Sequence, residues 1–274
     1  MQYRLSMNIQ KLRLIYFSPT QTTKKVLDGI ALGFGCDDIE KIDLTISNTG
    51  HFENKVINDG LTIIGVPVYS GRIPPDAATR IRQFSAEGTP PAVLVVLYGN
   101  REFEDALKEL NDLMIQNGFK PIAGAAFIGE HSFANKEYPI ALNRPDAEDI
   151  NRCLVFGSLL KEKIEHSDSV EGLSVPVFPG NYPYKEFNIL RNICPETLED
   201  KCSMCGICTE VCPTMAISLK DKVFTKNEAC ILCCACVKNC SSEARVIMNN
   251  LKIKDATKWL WENCNKRKEP EFFI

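Results

Sequence analysis

Cys202-x-x-Cys205-x-x-Cys208-x-x-x-Cys212-Pro213 is followed along the chain by Cys230-x-x-Cys233-x-x-Cys236-x-x-x-Cys240. The spacing is the same and the offset is constant (Cys202 to Cys230, Cys212 to Cys240), so the two stretches form an internal repeat. Cysteine thiolates hold iron in iron–sulfur clusters, and this run of spacings is the one used to bind [4Fe–4S] clusters in pairs. Two-residue spacers let one turning loop aim three sulfurs at one side of a cube. The fourth sulfur lies too far along to close the same cube easily and serves the other one. The spacing therefore predicts one cluster on Cys202, Cys205, Cys208 and Cys240, and a second on Cys230, Cys233, Cys236 and Cys212.

Two other uses of cysteine fit less well. Disulfides belong to oxidising compartments, and Met1 to Arg13 carry charges without an apolar block, so no export signal is read there. Zinc sites favour paired Cys-x-x-Cys units over triplets with a trailing fourth cysteine. The segment resembles the two-cluster bacterial ferredoxins. It departs from them where Cys240 is followed by Ser241 rather than by the proline that follows Cys212. That change restores an N–H donor beside one cluster, where hydrogen bonding tunes potential, and removes no ligand.

The chain has 274 residues, room for about two domains, and its 45% apolar content is ordinary for a folded core. A net charge of −3 leaves no basic footprint for nucleic acid or an acidic membrane surface. No apolar run approaches the ~20 residues of a membrane span. Thirteen cysteines without an export signal imply a reducing, cytoplasmic compartment. Cys36, Cys153, Cys194, Cys234 and Cys264 lie outside the repeat's ligand pattern and read as small buried or half-buried thiols.

Before the repeat, strands and helices alternate. Leu12 to Phe17 is an apolar run of strand length, and Val26, Leu27, Ile30, Ala31 and Phe34 then recur at helical spacing. Asp38 to Leu44 is a weaker strand, and Gly60 to Val66 a buried one stopped by Pro67. A helix is expected from Pro75, since proline suits a first turn. Ala92 to Leu97 is the most apolar strand, followed by a helix over Phe103 to Gln116. Pro121 to Phe127 is a fifth strand, and Asp146 to Glu165 a long helix. Continuous apolar strands alternating with helices predict a parallel sheet covered on both faces, with ligands bound beyond the strands' carboxyl ends.

Three loops leave those ends. Ser18-Pro-Thr-Gln-Thr-Thr23 brings hydroxyls to a helix N-terminus, an arrangement that suits an anion but also serves as an ordinary cap. Neither the Gly-x-Gly-x-x-Gly nor the Walker pattern is present, so a phosphate monoester fits better than a dinucleotide. Pro67 to Pro75 and Tyr98 to Phe103 each place a tyrosine near a glycine just past a buried strand. Such a ring either packs the strand end or gives a flat heterocycle a stacking face. His131 follows the fifth strand and can face the same rim.

Residues 12–165 resemble a flavodoxin-type domain, the FMN-binding doubly wound fold. The whole chain is similar to a family of flavodoxin–ferredoxin fusion proteins found chiefly in anaerobes, through Gly65-Val-Pro-Val-Tyr69, Tyr98-Gly-Asn-Arg101, Gly129-Glu-His-Ser132 and Arg144-Pro-Asp-Ala-Glu-Asp149. The resemblance implies FMN with its phosphate on Ser18, Thr20, Gln21, Thr22 and Thr23. Its ring would lie between Pro67, Val68, Tyr69, Ser70 and Gly71 on one side and Tyr98, Gly99, Asn100, Arg101 and Phe103 on the other. Gln21 stands where such loops usually carry glycine, which approaches phosphate closely and adopts positive φ.

The expected architecture is α/β: a flavodoxin-like, doubly wound, five-stranded parallel sheet over residues 1–166, then a small α+β two-[4Fe–4S] ferredoxin domain over 200–253. Residues 167–199 are a Pro-rich linker wrapping the surface through Tyr182, Tyr184 and Phe187. Residues 254–274 are a helix and tail, docked through Trp259 and Leu260 and ending in an apolar tip of unassigned use. The expected function is electron transfer, two clusters passing single electrons to or from a flavin that handles one or two. Each cluster adds about two negative charges, which favours a redox partner with a basic docking face. One alternative is a reductase whose substrate is held by Arg72, Asn100, Arg101 or His131. The other is a ferredoxin with a flavin-free docking domain, for which Gln21 is the best support.

Overall fold

The structure, a computed structural model, describes residues 7, 9–46, 55–188, 190 and 192–274. Most of the N-terminal stretch read as lacking an export signal lies outside the described residues. The first part of the chain runs β1 (Lys11–Tyr16), α1 (Thr22–Phe34), β2 (Asp38–Asp43), β3 (Lys55–Ile57), β4 (Leu61–Pro67), α2 (Pro75–Ile81), β5 (Phe84–Ala86), β6 (Pro91–Tyr98), α3 (Ala106–Gln116), β7 (Lys120–Ile128) and α4 (Ala147–Glu165). The second part runs β8 (Glu196–Thr197), α5 (Ile207–Glu210), β9 (Ile217–Leu219), β10 (Val223–Thr225), α6 (Ala235–Lys238), β11 (Arg245–Val246), α7 (Leu251–Cys264) and β12 (Glu271–Phe273).

The large sheet has the order β12-β7-β6-β4-β1-β2. All its pairings are parallel except β12 with β7. Counted among themselves, the five parallel strands are ordered 2-1-3-4-5, the flavodoxin-like order, whose switch point lies between β1 and β4. β6 shows why an unbroken apolar run is needed. All eight of its residues are buried. Leu94 and Val96 enter the core under α2 and α3, while Val93, Val95 and Leu97 enter the one under α1 and α4. The α1–α4 crossing is close enough to require glycine: a Cβ on Gly33 would sit 2.2 Å from the Leu154 carbonyl oxygen. Asp146 starts α4 with a capping box, its carboxylate accepting the N–H groups of Glu148 and Asp149 while Asp149 accepts that of Asp146.

The sheet has six strands, not five. The chain's last residues return as β12, pairing Phe272 with Ala125 and Phe273 with Gly124. Phe272 packs its ring 4.8 Å from that of Phe156. β7 is rich in glycine and alanine on this edge, and β12 covers its unpaired backbone. The apolar tip is thus structural. The tail is held through β12 and the buried Leu260, whereas Trp259 is 54% exposed. α3 begins at Ala106 rather than Phe103, which turns into the core. α7 begins at Leu251 because Asn250 caps it, its side chain accepting the N–H groups of Lys252 and Ile253.

The described residues of 167–195 have no regular structure but are fixed to α3. Asp105 accepts the N–H groups of Asn181 and Lys185, each at 2.8 Å, and the Tyr184 hydroxyl donates to Asp112 at 2.7 Å. Leu173 and Phe178 supply the buried apolar anchors. Tyr182 is 77% exposed, so it does not supply the apolar grip expected of it.

Beyond Pro195 the sequence repeat is also a backbone repeat. α5 and α6 start at Ile207 and Ala235, equivalent positions of the two copies. Left-handed φ recurs at the same offset: 56° at Met204 and Leu232, 81° at Gly206 and 58° at Cys234, 53° at Met215 and 51° at Glu243.

Candidate functional site

At the carboxyl ends of β1, β4, β6 and β7 the structure has a cavity of about 460 Å³, within the usual range for ligand pockets. Thr20 and Thr22 from the first loop line it, with Pro67, Val68, Tyr69 and Ser70 from the second and Tyr98, Gly99 and Arg101 from the third. The other expected residues face elsewhere. Ser18 is buried, its N–H donating to Thr45 Oγ1 and its hydroxyl accepting from the Lys24 N–H. Thr23 and Phe103 are core residues, and Gly71 packs on Glu104. Asn100 donates its amide to the carbonyls of Cys264 (2.5 Å) and Lys266 (2.8 Å), tying the tail to the rim.

Gln21 adopts φ 63°, the left-handed conformation glycine would take freely, and its side-chain amide donates to the Ser18 carbonyl at 3.0 Å. It caps none of the first-turn N–H groups of α1. Ser18 takes the Lys24 N–H, and the other first-turn donors and the positive dipole end lie beside Thr20 and Thr22, an arrangement that suits an anion.

The rest of the cavity wall comes from residues of which only His131 was expected at the rim. His131 follows β7. Burial first, and then the nearby Lys238 and Arg101, push its pKa down to about 4. Its Nδ1 accepts the Phe133 N–H at 3.1 Å, so the proton of the neutral ring sits on Nε2. Lys185, Glu186, Asn188 and Leu190 close the cavity from the segment after α4, and Leu260 comes from α7. Ile231 and Leu232, between Cys230 and Cys233, complete it. Tyr69 sits against this loop: its pKa is raised well above the ordinary value by burial and then by Cys233, Cys234 and Cys230.

The basic groups considered for a substrate are engaged in structural contacts. Arg72 makes a two-pronged pair with Glu109, donates to the Lys185 carbonyl and stacks 4.6 Å from the Tyr184 ring centroid. Arg101 makes a two-pronged pair with Glu104 at 3.0 and 2.9 Å.

The eight repeat cysteines fall around two small voids. One is ringed by Cys230, Cys233, Cys236 and Cys212, the other by Cys202, Cys205, Cys208 and Cys240. Among the described residues no three such donors converge as a single metal ion needs. A four-iron cube instead takes one thiolate at each iron, so its ligands stand around its corners. The paired left-handed positions turn N–H groups inward, the nest geometry that suits anions and iron–sulfur centres. Matching donors appear in both copies: Ala216 N–H reaches Cys212 Sγ at 3.2 Å, and Ala244 N–H reaches Cys240. Burial pushes the Cys230 thiol up to about 11 and Cys233 higher still, so ligation there must displace protons. Cys234 also touches the first void and is buried.

The cysteine-rich unit is joined to the sheet unit beside both features. Arg80 donates to the Pro213 carbonyl at 2.6 Å, and Lys238 pairs with Glu130 and donates to the Ala134 carbonyl at 2.7 Å. Ile231 lines the rim cavity on one side and the inner cysteine void on the other.

Residues 193–218 match the family described as "4Fe-4S binding domain". No curated protein matches the chain. Among solved structures it is similar to a flavodoxin from the domain Archaea, at 13% identity over 57% of this chain and 99% of that one with a TM-score of 0.36. It is similar to flavodoxin 1 of Bacillus cereus at 19% identity, over 54% and 95%, TM-score 0.39. It is also similar to rubredoxin oxygen:oxidoreductase of Desulfovibrio gigas at 15%, over 58% of this chain but 37% of that one, TM-score 0.40. Among the described residues no helix is long and apolar enough to cross a membrane. The chain thus joins an iron–sulfur binding domain to a region of flavodoxin-like topology.

Proposed function

We propose that the chain is an electron-transfer protein carrying two [4Fe–4S] clusters and one FMN. Cys202, Cys205, Cys208 and Cys240 hold the outer cluster. Cys230, Cys233, Cys236 and Cys212 hold the inner one. The observation that carries this reading is Ile231, which lines both the inner void and the rim cavity, so that one side chain borders both candidate sites. When bound, the clusters supply one-electron steps and the flavin one- or two-electron steps.

The polypeptide's part is to position and insulate. The α1 N-terminus with Thr20 and Thr22 takes the phosphate. Tyr69 and Tyr98 would flank the ring, and Gly99 makes room for His131, whose Cδ2 a Cβ there would meet at 2.4 Å. Lys185, Glu186, Asn188, Leu190 and Leu260 exclude water, and His131 lines the cavity with a neutral ring. Reduction of a separate small molecule is the weaker reading, because Arg72, Asn100 and Arg101 already have structural partners. The protein works with a redox partner that has a basic docking face.

Anaerobically purified protein should contain about eight irons and one FMN per chain. Rapid reduction of the clusters should then be followed by first-order flavin reduction at a rate independent of protein concentration. A rate proportional to concentration would mean that electrons cross between molecules and would overturn the internal relay.

A further inference from the structure

A buried arginine stands between the two cysteine voids. Arg245, in β11, is 4% exposed and lines both. Its Nη1 donates to Thr197 Oγ1 at 2.7 Å and its Nη2 to Thr225 Oγ1 at 3.0 Å. Nη2 also points at Cys236 Sγ, 3.7 Å away. Its Nε has no partner, and among the described residues the guanidinium makes no ion pair. Two neutral hydroxyls leave its charge uncompensated. A desolvated cation is costly unless an opposite charge offsets it, and the groups beside it that can take up negative charge are the cysteines of the two voids.

The fold does not require arginine at this place. The equivalent position in the first copy is Ile217, which builds the same kind of short strand and is also buried. Of these two equivalent positions only the second carries a cation, and it borders cysteines of both sets, lining the void of Cys236 and that of Cys208.

We propose that Arg245 is the shared counter-ion of both clusters, raising and linking their reduction potentials. This rests on the two-cluster reading above. Reduction places one electron from a one-electron donor on a cluster's irons, with no bond made or broken, and makes the cluster more negative by one charge. A fixed cation in a dry site favours that reduced form, and net charge and hydrogen bonds to sulfur are the protein's levers on potential.

The test is a mediated redox titration of the full holo chain, followed by electron paramagnetic resonance, with iron counted first. Arg245→Gln keeps hydrogen-bonding capacity and removes the charge. It should retain its iron while both midpoints move to more negative potential, and Arg245→Lys should leave them near those of the unmodified chain. About eight irons with neither midpoint moved, or only one, would overturn the shared role alone. About four irons on the unmodified chain would overturn the two-cluster reading, and the sharing with it. Should Arg245→Gln lose iron, Arg245→Lys decides: both clusters at unchanged midpoints support the counter-ion, whereas loss of iron there too would make Arg245 a folding residue and overturn it.

Discussion

Cys205 is exposed, while its counterpart in the second copy, Cys233, is buried; Cys208 is half-buried and its counterpart Cys236 buried. The two cysteine loops share a spacing and a set of left-handed turns, yet their surroundings differ. The first copy has Met204, Ile207 and Phe224 at the surface around it. The second lies against Tyr69 and the sheet rim, clamped by Lys238 and Glu130. The spacing is common to both copies, and packing against the sheet is what distinguishes them. On this reading the outer cluster is where a partner delivers or collects electrons, and the inner one exchanges them with the flavin.

The crossed ligands give the largest test of that contrast. Cys212 belongs to the first stretch by sequence but rings the inner void. Cys212→Ala should remove about half the iron, and the resonance that disappears should be that of the cluster on Cys230, Cys233 and Cys236. Cys240→Ala should spare that cluster and remove the other. Loss of the outer cluster from Cys212→Ala would mean that each copy ligates its own cluster, and the contrast would have to be redrawn.

A smaller effect follows from exposure alone. Iron released to a chelator under mild oxidation should leave in two phases, the outer cluster's first, because local opening costs least where few apolar contacts must break. Resonance spectra taken between the phases identify the cluster that survives. A single phase would show that the sheet gives the inner loop no added protection.

The difference in surroundings is also where reading the sequence ended. The runs Leu12 to Phe17, Gly60 to Val66 and Ala92 to Leu97 announced a buried parallel sheet, because strands covered on both faces must be apolar throughout. The cysteine spacing announced the two rings for a similarly local reason. The sixth strand could not be read so. Glu271 to Phe273 is a very short segment, and what makes it a strand is the open edge of β7, far away in sequence. The rim loops were found, but not which of their residues face inward: Ser18, Thr23, Gly71, Asn100 and Phe103 turn away from the cavity, and a loop has no period from which to tell. The far wall, Lys185, Glu186, Asn188 and Leu190 with Ile231, Leu232 and Leu260, converges only after folding. His131 alone left a signal, by following a predicted strand end.

The smallest test compares one position in both copies. Gly206 has φ 81° and its counterpart Cys234 has φ 58°, both left-handed. A Cβ added at Gly206 would meet only Leu219 Cδ2 at 3.7 Å, an ordinary contact, so Gly206→Ala should cost only its backbone strain, about 1 kcal/mol. If local opening governs release, that is about a fivefold faster first phase, with the second unchanged. Cys234 already bears the left-handed strain, and its thiol is 2% exposed among Leu232, Ile193 and Ile247. Cys234→Ala keeps the backbone as it is and loses only the sulfur's contacts, so iron content should not change and the second phase should quicken only slightly. The same substitution product at equivalent positions then acts on different clusters for different reasons, strain in the outer loop and packing in the inner. Iron lost from the inner void of Cys234→Ala would make that thiol a ligand, and the second copy would no longer follow the ligation of the first.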